Sequence, residues 1–72
     1  MVSNQTNWAA VVRDLGRSTL ANFASGTLSG RGLYDLALDY GSSDTRSAVR
    51  NLLRNRGVSE ARQLARKAVS RR

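Results

Sequence analysis

Residues 7–24, NWAAVVRDLGRSTLANFA, place Trp8, Val12, Leu15, Thr19 and Phe23 at three- and four-residue intervals, with Val11 and Leu20 widening the stripe. Arg13, Asp14 and Arg17 fall on the opposite side. That period predicts an amphipathic helix with one face on a core. Thr6 or Asn7 can cap its first turn. Gly16, in mid-pattern, costs about 1 kcal/mol relative to alanine in a continuous helix. It reads as a tolerated glycine or as a point of close helix–helix approach.

Residues 25–32, SGTLSGRG, hold three glycines and three hydroxyl residues and predict a connector. The stretch follows a helix, contains no lysine and lacks the spacing of a phosphate-cradling loop. Beyond it, Leu33, Leu36, Ala37 and Tyr40 predict a short core-facing helix that stops at Gly41. Asp35 and Asp39 lie on its other side, and Arg31–Asp35 has the spacing of an i, i+4 ion pair. A third helix is expected from Ser42 or Ser43, with Asp44 favoured by the partial positive charge of its N-terminus. Its apolar stripe is Ala48, Val49, Leu52 and Leu53. Gly57 sits where a left-handed stop is wanted, and Val58 can then fold back on Leu53. Ser59 and Glu60 open a fourth helix with Ala61, Leu64, Ala65, Ala68 and Val69 facing inward.

No segment alternates with period two, and proline is absent. The expected fold is all-α: one domain over 1–72, a small bundle of about four helices ending in a basic C-terminal helical hairpin. At 72 residues such a domain buries only about 60% of its unfolded surface. Marginal stability of that kind makes a homodimer an open expectation.

Charge changes the picture by its distribution. Residues 1–41 carry Arg13, Arg17 and Arg31 against Asp14, Asp35 and Asp39 and are neutral overall. The entire formal charge of +7 lies beyond them, where nine cations face Asp44 and Glu60. Eleven of the twelve cations are arginine, whose planar fork suits phosphate and carboxylate, although GC-rich coding gives the same bias.

Several functions are excluded by what is missing. Without Cys or His there is no disulfide framework, no zinc site of ordinary spacing and no thiol nucleophile. Asp35 and Asp39 have no visible second catalytic partner, and a single Lys in a basic tail leaves nothing to activate a serine. No enzymatic activity, cofactor or small-molecule substrate is expected. MVSNQTNWAA lacks the basic and apolar regions of a secretory signal, and no apolar run approaches the ~20 residues that span a bilayer. A soluble chain is the expectation.

What remains is the hairpin. Arg46, Arg50 and Arg54 share one ridge of the third helix; Arg62 and Arg66 share one on the fourth, with Lys67 and Arg71 on the adjoining row. Merged, they form a surface for phosphates, whose binding rests on counterion release and needs no base recognition. With Arg46, Arg50, Arg54, Arg62 and Arg66 each neutralising one phosphate, log K against log salt should fall with a slope near about −4.5 on B-form DNA.

A base-reading helix-turn-helix centred on Gly57 fits poorly. Leu53, Arg56, Gln63 and Arg66 each occupy a position where that motif wants another residue type, and Gln63 is the one strong base-reading candidate. Single-strand binders interleave aromatics with cations, whereas Trp8, Phe23, Tyr34 and Tyr40 all precede the basic region. DNA or RNA duplex is therefore the expected partner, with Tyr40 the nearest aromatic to the hairpin. The alternative partner is an acidic surface of a larger protein, on which a small basic regulator or inhibitor would dock. Membrane binding is disfavoured, since the basic face of 60–72 is backed mostly by alanine.

Overall fold

The structure, a computed structural model, describes residues 6–70. It comprises four helices and, among the described residues, no strand: α1 (Trp8–Leu15), α2 (Arg17–Ser25), α3 (Gly30–Tyr40) and α4 (Ser43–Ser70). The all-α reading holds, and its boundaries shift at two glycines.

Residues 7–24 form two helices, because Gly16 adopts φ 90°, ψ 153°. Gly57, inside α4, adopts φ 83°, ψ 165°. A positive φ with an extended ψ is a region that side chains strain to enter and glycine does not. A Cβ added at Gly16 or Gly57 would meet nothing within 4 Å. Gly16 is thus neither a tolerated helix glycine nor a point of close approach; its backbone angles are its role. At Gly57 the expected positive φ is present, but the extended ψ makes a bend within α4 in place of a left-handed stop. A straight helix of 28 residues would run about 42 Å. The molecule's longest extent is 33 Å, and α4 accordingly folds into two arms, 43–56 and 58–70.

The break at Gly16 rephases the stripe. Val11, Leu20 and Phe23 are fully buried, while Trp8, Val12 and Leu15 pack at the edge. Leu33, Ala37, Val49, Leu52, Ala61 and Ala65 complete the core. Each large side chain among these stabilises the fold by about 1.5–3 kcal/mol when fully buried. Tyr40, expected to face the core, is 70% exposed at the last residue of α3. The connector is shorter than 25–32: Ser29 Oγ accepts from the Gly32 amide at 2.9 Å and caps α3, which places Arg31 within the helix.

Charged side chains join the helix ends. Arg62 Nη1 donates to the carbonyl of Phe23 (2.6 Å), in the last turn of α2, and to that of Leu28 (3.2 Å), in the connector after it. Its guanidinium also lies 4.9 Å from the Phe23 ring centroid. Reciprocally, Arg17 at the start of α2 donates to the carbonyl of Val69 at the end of α4, 2.9 Å away. Each cation meets the negative end of the partner helix dipole, which fixes α2 and the arm 58–70 as antiparallel neighbours.

Asp14 does the opposite at the start of α4. Its carboxylate accepts from the Ser42 amide at 2.8 Å, from the Thr45 hydroxyl at 2.7 Å and from Arg13 Nε at 2.9 Å. Thr45, fully buried, is thereby satisfied. The Arg13 hydrogen bond, reinforced by Ser42 and Thr45, holds the Asp14 carboxyl well below the usual carboxylate range.

Candidate nucleic-acid interface

Arg46, Arg50 and Arg54 are exposed along one row of the arm 43–56, turned away from buried Thr45, Val49 and Leu52. Cβ atoms four residues apart on a helix lie roughly 5–6 Å from one another, so the row carries one arginine on each successive turn. Two ion pairs join described residues, Arg13–Asp14 and Arg56–Glu60. The row therefore carries no acidic partner among the described residues. Ser47, Asn51 and Asn55, also exposed, run beside it and line a polar cleft of about 560 Å³ with Asp44 and Glu60.

On the arm 58–70, Arg66 and Lys67 are exposed, and Arg71 lies outside the described residues. Arg62 departs from the expected ridge. It is half-buried, its Nη1 donates to the carbonyls of Phe23 and Leu28, and its guanidinium lies against the Phe23 ring. The physical reason is the antiparallel packing on α2, which brings a helix C-terminus within reach of the side chain.

Two further residues join the arginine row from a distant part of the sequence. Arg31 and Tyr34 of α3, with Gly30, line a shallow groove of about 390 Å³ together with Arg50, Leu53, Arg54 and Val58. Its lining is largely apolar, and three of the residues that contribute to it are arginines. Leu53 and Val58 both lie against Gly30, where an added Cβ would be 2.9 Å from Val58 Cγ2 and 3.5 Å from Leu53 Cδ2. The Arg31–Asp35 ion pair expected from spacing is not formed. Tyr40, the aromatic expected nearest the basic region, is not in the groove; Tyr34 is. The signal for this was the i, i+3 spacing of Arg31 and Tyr34 on one flank of a helix, legible only once Ser29 is recognised as its cap.

Among the described residues, no His, Cys, Asp or Glu cluster could hold a metal ion, and no helix is long and apolar enough to cross a membrane. Compared with family models, curated proteins and solved structures, the chain finds no match.

Proposed function

We propose that this chain is a small basic helical nucleic-acid-binding protein that grips the phosphate backbone through the exposed cations of α4, with no enzymatic step. The observation that carries this reading is the exposed, acid-free row of Arg46, Arg50 and Arg54. Arg66 and Lys67 supplement it, and the hydroxyl and amide groups of Ser47, Asn51 and Asn55 are further donors to phosphate oxygens. Arg62 is not part of the binding set.

The test is retention of a labelled duplex at low salt by the protein and by Arg50→Glu/Arg54→Glu, with polyglutamate as competitor. Both positions are exposed, so the variant should keep the parent's circular dichroism. Loss of duplex retention in the variant supports the reading. Equal retention by both proteins overturns it. If polyglutamate or an acidic protein binds the parent in preference to the duplex, the basic row is a docking face for an acidic partner protein.

A further inference from the structure

The groove between α3 and the arm 43–56 does something that a row of cations alone cannot. Arg31 and Tyr34 of α3 and Arg50, Leu53, Arg54 and Val58 of α4 line it together, with Tyr34 and Leu53 partly buried against the core. Val58 is 41% exposed, and Leu38, one turn on from Tyr34 along the same flank, is 47% exposed. Gly30 meets Val58 and Leu53 while the other end of α3 leads directly into α4. The two helices therefore run antiparallel, and Leu38 extends the apolar strip toward the Arg46 end of the row.

A duplex leaves this apolar lining unused. It offers phosphates to the arginines, but its bases are stacked on one another and present only their edges. An unpaired nucleotide satisfies both parts of the groove at once: its base has an apolar face for Tyr34, Leu53 and Val58, and its two flanking phosphates meet the arginines. Guanidinium planes add stacking surface of their own. A protein segment would have to bring an apolar side chain and separate acids, whereas an unpaired nucleotide presents a base face and two flanking phosphates on one covalent frame.

Resting on the nucleic-acid reading above, we propose that this groove is a stacking site for an unpaired nucleotide, with Tyr34 as the platform and Arg31, Arg50 and Arg54 as phosphate contacts. The preferred ligand is then a nucleic acid carrying at least one unpaired base, such as a bulge, in place of a fully paired duplex. Tyr34 supplies the interleaving of aromatic and cation that single-strand recognition requires.

The experiment compares binding of a short duplex with binding of the same duplex containing one unpaired 2-aminopurine, by anisotropy and by the fluorescence of that base. The bulged form should bind tighter by roughly 5- to 150-fold, the worth of one base–aromatic stack, and its fluorescence should be quenched on binding. Tyr34→Ser should lose both the preference and the quenching, and Tyr34→Phe should keep both. Arg31→Gln, at an exposed position, should weaken the bulged complex more than the paired one and gives a readout independent of any loss of fold in Tyr34→Ser. Equal affinity for the two forms, with no quenching, overturns the stacking site and leaves the phosphate reading standing. Failure to bind either form, together with saturable binding of an acidic peptide containing leucine, overturns both and assigns the groove to a protein partner.

Discussion

Replacing Arg62 by methionine separates structure from binding, because the stem stays and only the guanidinium is removed. The parent makes a 2.6 Å charge-assisted hydrogen bond to the Phe23 carbonyl, a longer one from the same nitrogen to Leu28, and a cation–π contact with the Phe23 ring. A hydrogen bond to a charged group contributes about 1.5–3 kcal/mol. Both bonds leave one Nη and the side chain is half-exposed, so one such bond is the fair count. The ring contact adds about 0.5–1 kcal/mol at a partly solvated site. The expected loss is about 2–4 kcal/mol, which in a domain of this size lowers Tm by roughly 10–30 °C. Thermal unfolding followed by circular dichroism reads this directly. At a temperature where Arg62→Met is still folded, its duplex binding should show the parent's salt dependence, because no phosphate contact has been removed. A variant that melts with the parent and loses one phosphate's worth of salt dependence would refute the structural assignment and return Arg62 to the binding face.

Gly16→Ala and Gly57→Ala should each cost about 1–3 kcal/mol, because alanine is strained at their angles although it has room; chemical denaturation checks this, and a neutral Gly57→Ala would mean that α4 is not bent there. Leu52→Asp should unfold the chain by placing a charge in the core; a helical, cooperatively melting Leu52→Asp would contradict the packing. Asp14 has a lowered carboxyl pKa in the folded state, so its contribution is fully present above the unfolded value of about 3.9 and fades as pH falls toward the folded value. The Tm gap between the parent and Asp14→Asn should thus be widest near neutral pH and shrink below about pH 4; a gap independent of pH would place the Asp14 hydrogen bonds elsewhere.

Much of the architecture was legible locally. Asn7 and Ser42 are side-chain caps as their residue types suggest: Asn7 Oδ1 accepts from Ala10 and Ser42 Oγ from Thr45. Leu33, Ala37, Val49, Leu52, Ala61 and Ala65 occupy the buried faces that their spacing implies. The break at Gly16 escaped because the apolar stripe reads smoothly through it, and only the φ of that residue reveals two helices. Arg62 was misread for a different reason. Its four-residue spacing to Arg66 is that of an exposed ridge, and the carbonyls that turn it inward belong to residues 23 and 28, far away in sequence. The same non-locality hid the groove: Arg31 and Tyr34 meet Arg50 and Arg54 only because Gly30 lets α3 lie close against Leu53 and Val58.

The central claim is that the exposed cations of α4, without Arg62, neutralise phosphates, and the salt dependence of duplex affinity tests it most directly. With Arg46, Arg50, Arg54, Arg66 and Lys67 each taking about one phosphate, log K against log salt should fall with a slope of about −4.5, and Arg62→Met should leave that slope unchanged. Replacing Arg50 and Arg54 by Gln together should flatten the slope by roughly 1.8 and weaken all sequences alike. Absence of duplex binding at low salt, or a slope that the double replacement leaves unchanged, would contradict the account.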